Sequence, residues 1–204
     1  MNNYKNTYNL SWQDLRINYI KSKFSPQFFN EKSILELAPY NGYIGNSFYE
    51  LGAKVTCIEG RKENCQHIKT HFPHLIVHQA NLDTVEWKWG NFDIIINMGL
   101  LYHLENNHKQ HLENCIHNSK ILILETVINS DKTEIISYRP EEGADQSLSQ
   151  RGGEPSIKWI ENILRKNTHH FTRANDIGNA GEHHYDGCGS PGYNRALWIT
   201  INKL

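Results

Sequence analysis

The sequence predicts an α/β fold in which a mostly parallel sheet carries helices on both faces. Short β-branched runs alternate with helical patterns along the 204 residues. Residues 92–97, FDIIIN, contain a continuous apolar run of the kind that a parallel sheet buries on both faces. Residues 33–60 combine a strand, a glycine-bearing loop, a helix and a second strand, and the rest of the fold is expected to be built around this first unit.

The first unit is recognised from its apolar spacing and its glycines. Residues 34–37 form a short apolar run, which predicts a strand. Ile44, Phe48 and Leu51 then recur on one face of a helix, and Gly52 ends it. A second β-branched run follows and places an acidic residue at the end of its strand.

That acidic residue is Glu59, which follows Glu36 by 23 positions. In nucleotide-binding βαβ units, a carboxylate roughly 20 residues past the glycine-bearing turn accepts hydrogen bonds from ribose hydroxyls. The loop offers only Gly42 and Gly45, so it lacks the three-glycine fingerprint that seats a pyrophosphate. Glu36 would also repel a pyrophosphate and suits a cationic or zwitterionic ligand. An NAD-dependent oxidoreductase is therefore a distant alternative.

Residues 36–42, ELAPYNG, resemble the first motif of the class I S-adenosylmethionine-dependent methyltransferases, an acidic residue followed by a glycine-rich loop. The sequence departs from that motif at residues 38–40, where Ala38 and Tyr40 stand at positions expected to hold glycine. The resemblance implies S-adenosylmethionine as cofactor, S-adenosylhomocysteine as product, and a Rossmann-like sandwich with a seven-stranded, mostly parallel sheet whose last strand is antiparallel. It implies cofactor contacts by Glu36, Ala38, Tyr40, Gly42, Glu59, Gly60, Asn81, Leu82 and Met98.

A helix is predicted ahead of the first unit. Ser11 and Asp14 resemble a capping box, and an apolar stripe predicts a helix over about residues 11–23. Residues 1–9 are expected to be loose. Residues 1–30 thus form an N-terminal helical cap, which either closes over the cofactor or substrate or covers one sheet edge; both interpretations stay open.

The segment after Glu59 continues the alternation of helix and strand. Residues 61–72 are predicted to be helical, and residues 75–77 form a third strand. By resemblance, the Asn81 side chain then takes the adenine amino group and the Leu82 N–H takes a ring nitrogen. Asp83 is the alternative to Asn81, and a simple turn is the alternative to both.

The most specific match lies at residues 92–103, FDIIINMGLLYH. The pattern FDxxxxMGxLYH is similar to the fourth motif of a methyltransferase subgroup that includes the tRNA wobble-uridine carboxymethyltransferases. Residues 121–128 resemble the fifth strand of that subgroup, and the similarity covers roughly residues 33–128. The RNA enzymes of the subgroup carry extra N-terminal mass, so the fold and cofactor are carried over as expectations and the RNA substrate is not.

Methyl transfer from a sulfonium is an in-line displacement, in which the protein positions the nucleophile and excludes water. His103 directly follows the fourth strand and is the first choice for a general base, with a role in anchoring the loop as the alternative. Glu125 ends the fifth strand and either orients a substrate amine or hydroxyl or simply terminates the strand. Tyr102 and His184 are further candidates for substrate contact, and the pair of His183 and His184 is an alternative to His103 as the base.

Residues 129–156 are polar, glycine-bearing and weakly periodic. A stretch of this length after the fifth strand predicts a lid or substrate loop above the carboxyl edge of the sheet. Tyr138 and Arg139 are its candidates for substrate contact, although Arg139 also fits a solvated charge. A helix is expected to start at Pro155, because proline favours a first helical turn.

Two terminal strands are predicted to close the sheet as an antiparallel pair. They lie at residues 169–173 and 195–201. The irregular connection between them holds the cluster HHYD at residues 183–186.

Three nearby histidines, His103, His108 and His111, raise the question of a metal site. No carboxylate or thiol joins them at ligand spacing, so a metal is not predicted. A surface helix is the simpler explanation for His108 and His111.

The overall composition narrows the class of protein. The formal charge is −1, without a run of like charges, which disfavours nucleic acid while leaving room for a local basic patch. Neither a membrane span nor a signal peptide is predicted, since no long apolar segment occurs. The chain is expected to be one domain over residues 1–204. It is also expected to be cytoplasmic with reduced thiols, because four cysteines are scattered without a C-x-x-C pair: Cys57, Cys65, Cys115 and Cys188.

Together these features favour a methyltransferase that acts on oxygen or nitrogen of a small polar acceptor. An RNA-modifying enzyme with the same cofactor site is the second hypothesis. A protein that binds S-adenosylmethionine without transferring its methyl group is the third, because Tyr40 would crowd the methionine end of the pocket. The oligomeric state does not follow from the sequence.

Overall fold

The computed structural model describes residues 10–143, 146–180, 183–185 and 194–203. Short 3₁₀ helices span Pro26–Phe29 and Leu101–His103. The α-helices are α1 (Leu10–Lys23), α2 (Tyr43–Tyr49), α3 (Lys62–His71), α4 (His108–His117) and α5 (Ile157–Asn167). The strands are β1 (Ser33–Leu37), β2 (Lys54–Glu59), β3 (Ile76–Gln79), β4 (Phe92–Met98), β5 (Ser119–Val127), β6 (Ile136–Pro140), β7 (Arg151–Pro155), β8 (Thr168–Arg173), β9 (Asn179–Ala180), β10 (His183–His184) and β11 (Arg195–Asn202).

Seven of these strands form one sheet in the order β3-β2-β1-β4-β5-β11-β8. The pairs from β3 to β5 are all parallel, whereas β11 is antiparallel to both β5 and β8. Six strands therefore point one way, and the last strand in the chain is inserted antiparallel between β5 and β8. The fold predicted from the sequence is confirmed, including the antiparallel closing pair.

The order in which strands are added to the sheet reverses at β1: β2 and β3 lie on one side of it, and β4 and β5 lie on the other. Strand β1 pairs with β2 on one side and β4 on the other, so Leu37 lies opposite both Ile58 and Asn97. The crevice outside the carboxyl ends of β1 and β4 is the topological switch point where open α/β sheets bind ligands. The loops that follow these strands are thus gathered at one edge.

Both faces of the sheet are buried, which explains the continuous apolar runs in the sequence. Ile34 packs in a cluster with Phe48 and Ile68, on the face covered by α1, α2 and α3. The next residue, Leu35, faces the opposite way and packs in a cluster with Leu112, on the face covered by α4 and α5. Each fully buried side chain of this size contributes about 1.5–3 kcal/mol to folding.

Residues 129–156 contain more regular structure than expected. Strands β6 and β7 form an antiparallel hairpin in which Tyr138 lies opposite Gly153. Pro155 ends β7 and does not start a helix. Helix α5 begins at Ile157 instead, and Ser156 caps it by accepting a hydrogen bond from the Trp159 N–H at 3.2 Å.

The prediction that α4 is a surface helix explaining His108 and His111 is wrong. Both side chains are buried, because they point from α4 into the interior. His108 Nε2 bonds to the Gly153 carbonyl at 3.0 Å, and His111 Nε2 lies 2.9 Å from Nδ2 of Asn97. Burial lowers the pKa of both histidines, that of His111 to about 4, so they are neutral members of the core.

In the part of the chain that the structure describes, no helix is long and apolar enough to cross a membrane. Cys57, Cys65 and Cys115 are buried free thiols. The expectations for residues 1–9, Asp186 and Cys188 fall outside the described residues.

Candidate active site

A cleft lies at the carboxyl edge of the sheet, between the loops that follow β1 to β4. Its empty volume is about 1120 Å³, open mouth included, which is enough for a nucleoside and a small second ligand. Helix α1 closes one side, and residues 146–149 of the β6–β7 connection close another. The predicted site residues that line it are Glu36, Ala38, Tyr40, Glu59, Gly60, Asn81, Leu82, Met98, Tyr102 and His103.

The loop after β1 carries the backbone conformation that glycine usually provides. Ala38, Tyr40 and Gly42 have φ angles of 52°, 57° and 79°, so the loop is left-handed at alternate positions. Only Gly42 adopts this region without steric cost; a residue with a side chain loses about 1 kcal/mol or more there. The loop thus keeps the shape of a glycine-rich turn even though Ala38 and Tyr40 replace two glycines.

Glu36 lies beneath the start of α2, with only 3% of its surface exposed. The absence of a side chain at Gly45 makes this possible, because a Cβ there would collide with Oε2 of Glu36. Burial is the main cause that raises the pKa of Glu36, to about 8, against the opposing effect of a hydrogen bond from the Gly45 backbone. Glu36 is therefore mostly uncharged at neutral pH while no cation is beside it.

Glu59 ends β2 and joins two loops. Its Oε2 accepts a hydrogen bond from the Tyr40 N–H at 3.2 Å, and its Oε1 accepts one from the Arg61 N–H at 2.8 Å. Burial raises the pKa of Glu59, while these backbone bonds and one from Asn64 act in the opposite direction. These three donors leave one of the four lone-pair sites of the carboxylate, so it retains the capacity to accept from a ligand in the cleft.

In the loop after β3, Asp83 is used by the protein's own backbone, whereas Asn81 faces the cleft. Asp83 accepts hydrogen bonds from the backbone N–H groups of Glu105 and Asn106, at 3.2 and 3.0 Å, and so ties down the loop before α4. Asn81 is exposed at the cleft, and its Oδ1 accepts from the Asp83 N–H at 3.0 Å. The second lone pair of Oδ1, the Nδ2 donor and the Leu82 backbone are the groups that this loop presents.

His103 forms a dyad with a carboxylate from the segment 129–156. Its Nδ1 lies 2.5 Å from Oε2 of Glu141, whose side chain is 1% exposed. Arg139 holds the other oxygen of Glu141 at 3.2 Å and reaches Glu154 at 2.7 Å. The Tyr102 ring lies against the imidazole with the ring centres 3.9 Å apart and the ring planes tilted by 38°. The segment 129–156 therefore places the Glu141 carboxyl group against Nδ1 of His103. The other ring nitrogen, Nε2, is left for a ligand.

Glu125 is fully buried between two arginines. Nη2 of Arg16 lies 2.8 Å from its Oε2, and Nη1 of Arg195 donates to its Oε1 at 3.0 Å. The Tyr185 hydroxyl also donates to Oε1, at 3.0 Å. Burial alone would raise the pKa of Glu125, but the two guanidinium groups outweigh it and lower the pKa to about 2. Glu125 is thus ionised across the neutral range, and the two arginines, although buried, line the cleft.

Other predicted residues lie outside the cleft lining. Gly42 faces Ile68 of α3 and Phe72, the residue that follows this helix, and Glu125 lies behind its two arginines. Tyr138 and Arg139 are exposed on β6, and His184 is adjacent to His183, which does line the cleft.

Sequence reasoning missed Arg16, Arg195 and Glu141. Each is brought to the cleft by a long-range contact: α1 crossing the sheet edge, the return of β11, and the β6–β7 connection. No local spacing marks them. The sequence contains two signals of the arginines: Arg195 is the first residue of β11, and Arg16 lies on the buried face of α1.

Among the described residues, no group of three or more His, Cys, Asp or Glu is arranged to hold a metal ion.

No family model matches the chain. No curated protein matches it in a sequence search. Comparison with solved structures is more informative. The N-terminal domain of EvdMO1, solved with S-adenosylhomocysteine and D-fucose, aligns with a TM-score of 0.69 at 16% identity, over 94% of this chain and 82% of that one.

Two further structures align over similar lengths. The Burkholderia thailandensis 1,6-didemethyltoxoflavin N1-methyltransferase, with its substrate and S-adenosylhomocysteine bound, gives a TM-score of 0.60 at 14% identity, over 95% of this chain and 81% of that one. An S-adenosylmethionine-dependent methyltransferase from Mesorhizobium loti gives 0.61 at 12% identity, over 94% and 97%. The fold is that of S-adenosylmethionine-dependent methyltransferases.

Proposed function

We propose that the protein transfers a methyl group from S-adenosylmethionine to an oxygen or nitrogen of a small polar acceptor. The observation that carries this proposal is the arrangement at the switch point between β1 and β4. There a left-handed loop at residues 38–42 and the buried carboxylate of Glu59 face one cleft. A backbone loop that admits close approach and a carboxylate for ribose hydroxyls suit an adenosyl group better than a dinucleotide, whose pyrophosphate Glu36 would oppose.

The cofactor contacts follow from these positions. Glu59 accepts from the ribose hydroxyls, and Gly60 leaves room beside it. Asn81 and the Leu82 N–H read the adenine edge. The backbone at Ala38, Tyr40 and Gly42 shapes the methionine end, where Glu36 complements a cationic amine or sulfonium and Met98 supplies an apolar wall. Bound S-adenosylmethionine supplies an electrophilic methyl carbon on its sulfonium.

His103 is the proposed base. A proton on Nδ1 is held by Glu141, which leaves Nε2 free to take a proton from an acceptor hydroxyl or amine. Tyr102 restrains the ring by packing against it and contacts the acceptor. Glu125 acts through Arg16 and Arg195, which it holds in place.

Two covers of the site are proposed from the same geometry. Residues 129–156 act as the lid, with Gln146 to Ser149 lining the cleft, while Tyr138, Arg139 and His184 meet the acceptor only if this cover moves. Residues 1–30 contribute a cap through α1. The whole chain, residues 1–204, works as one domain, and its buried free thiols support a reducing compartment such as the cytoplasm.

A small acceptor is favoured because solved structures with this fold bind small molecules, namely D-fucose and 1,6-didemethyltoxoflavin. An RNA acceptor is the second candidate, supported by the likeness of residues 92–103 to the tRNA wobble-uridine subgroup. Binding of tRNA that weakens steeply between 50 and 200 mM salt would favour RNA. Salt-insensitive or absent binding would favour the small acceptor.

The first experiment is calorimetric titration with S-adenosylmethionine and S-adenosylhomocysteine. The wild type is expected to bind both with Kd values on the order of micromolar, and Glu59→Ala to bind at least about tenfold more weakly, since a charged hydrogen-bond acceptor is lost. Glu31→Ala is the matched control, because Glu31 is an exposed carboxylate paired only with Lys54. Thermal unfolding of each variant shows whether weaker binding comes from the lost ligand contact or from a destabilised loop.

Absence of binding by the folded wild type would contradict the proposed cofactor. Binding without any acceptor-dependent release of S-adenosylhomocysteine, across a panel of small hydroxylated and amine compounds and tRNA, would favour a binding protein without transfer activity.

A further inference from the structure

The polar end of the cleft has an excess of buried positive charge. Arg16 is 2% exposed and Arg195 is 8% exposed, and both line the cleft. Guanidinium groups stay protonated inside proteins. Among the residues that the structure describes, the carboxylate paired with both arginines is Glu125, so two positive charges face one negative charge there.

The neighbouring groups do not remove this excess. His183 lies 3.3 Å from Nη2 of Arg16, and burial together with the two arginines lowers its pKa to about 3, so it is neutral. The hydroxyls of Tyr185 and Tyr102 accept hydrogen bonds from the arginines: Nε of Arg16 donates to Tyr185 at 3.1 Å, and Nη2 of Arg195 donates to Tyr102 at 3.1 Å. The described residues of the cluster therefore carry a net charge of about +1 in a site of low dielectric, where an uncompensated charge is costly.

Arg16 also has donor capacity that the protein does not use. Its Nε and Nη2 are engaged by Tyr185, His183 and Glu125, and its guanidinium lies over the Trp12 ring at 4.2 Å. In the described part of the chain, Nη1 makes no hydrogen bond, and it points towards Gly99 at the end of β4. A fork of this kind suits a planar anion such as a carboxylate.

We propose that Arg16 and Arg195 form a subsite for an anionic group of the methyl acceptor, a carboxylate or a phosphate. This proposal rests on the proposed methyl transfer and specifies its substrate class. The subsite lies on the acceptor side of the switch point, because Glu125 pairs in register with Met98 and not with the β2 end that holds Glu59. Trp12 and His183, stacked at 5.0 Å, give it a flat apolar wall.

The same chemistry has a second source, since the methionine part of the cofactor also ends in a carboxylate. The experiment therefore titrates two ligands separately. Sodium benzoate is the acceptor probe, with neutral benzamide as its isosteric counterpart, added to protein saturated with S-adenosylhomocysteine and followed by ligand-observed NMR at constant ionic strength. S-adenosylhomocysteine itself is titrated by calorimetry, alongside methylthioadenosine, which lacks the carboxylate.

Two variants of opposite sign keep the outcome interpretable. Arg16→Gln is expected to weaken benzoate binding by about tenfold or more, with little change for benzamide. Glu125→Gln retains the shape of the cluster and removes its negative charge, so benzoate is expected to bind several-fold more tightly. Arg165→Gln is the matched control, since Arg165 is an exposed arginine on α5, paired with Glu161 away from the cleft.

Three results would overturn the subsite. Equal affinity for benzoate and benzamide would show that the site does not distinguish ligands by their charge. Unchanged benzoate binding in folded Arg16→Gln and Glu125→Gln would place the anion elsewhere. Loss of S-adenosylhomocysteine affinity in Arg16→Gln, with no such loss for methylthioadenosine, would assign the arginine to the cofactor. Failure of the wild type to bind any cofactor would instead contradict the proposed function, while benzoate binding remained measurable.

Discussion

Nδ1 of His103 lies 2.5 Å from Oε2 of Glu141, although 38 residues separate them in the chain. The two side chains come from different layers of the molecule: His103 from the short helix after β4, and Glu141 from the end of β6. Gly152 on β7 makes this approach possible, since a Cβ there would collide with the Tyr102 carbonyl and with the Glu141 carboxyl group. A neutral imidazole held in this way presents Nε2 as its acceptor.

The first prediction concerns His103→Ala. If the acceptor loses a proton to this ring, kcat is expected to fall by about 10²- to 10⁴-fold, while the affinity for S-adenosylhomocysteine stays near that of the wild type. The measurement is acceptor-dependent release of S-adenosylhomocysteine. His169→Ala serves as the control, because His169 is exposed on β8. Wild-type turnover in His103→Ala would leave the histidine a loop anchor only.

The second prediction concerns Glu141→Gln. The amide keeps the size of the buried side chain but not its charge, so the imidazole is expected to lose its fixed tautomer and kcat to fall by at least about tenfold. Nitrogen NMR of the His103 ring reports the tautomer directly. Glu141→Asp, which retains the charge, is expected to recover part of both signals. A loss of turnover with an unchanged tautomer would argue that Glu141 only supports the lid.

The parallel character of the sheet was accessible from the sequence because the sheet is buried on both faces. Ile34 and Leu35 point in opposite directions and are both fully buried, so apolar residues had to be continuous in β1. The carboxylate of Glu59 was accessible because its position depends only on the length of one strand-helix-strand unit. Sequence patterns are sufficient to place a residue when its position is set within one strand-helix-strand unit.

The acceptor end was not accessible, because its residues meet only through tertiary structure. Arg16 and Arg195 are 179 positions apart and converge on Glu125 through α1 and the returning β11. His111 shows the same limit inside the core. Its polar neighbours in sequence suggested a surface helix, yet its ring meets Asn97 on β4, a partner that no helical periodicity reveals.

The third prediction concerns Gly45→Ala. A methyl group there would collide with Oε2 of Glu36 and crowd Val55, so the carboxyl group must move into the cleft. We expect a loss of about 1–3 kcal/mol in the free energy of unfolding and weaker S-adenosylhomocysteine binding. Gly90→Ala is the control: it has a positive φ of 77° but open space around it. It should cost about 1 kcal/mol without affecting binding. Equal binding by both variants would contradict the role assigned to Gly45.

The fourth prediction uses the raised pKa of Glu36. Burial raises this pKa from 4.5 to about 8, so between these pH values the folded protein holds a proton that the unfolded chain has released. The contribution of Glu36 to stability is therefore greatest below pH 4.5 and declines as the pH rises to about 8, at about 1.4 kcal/mol per pH unit where the difference in bound protons is complete.

Glu36→Gln removes this titration, so its free energy of unfolding relative to the wild type is expected to rise steadily from pH 5 to pH 8. Urea unfolding at unit intervals of pH measures the difference, in which titrations common to both proteins, such as that of Glu125, cancel. Glu50→Gln is the control, because Glu50 is exposed at the end of α2. Parallel pH profiles for the wild type and Glu36→Gln would mean that Glu36 is ionised in the free protein. The carboxyl group would then meet its ligand as a charge already formed, and its burial would have to be offset by partners other than the Gly45 backbone.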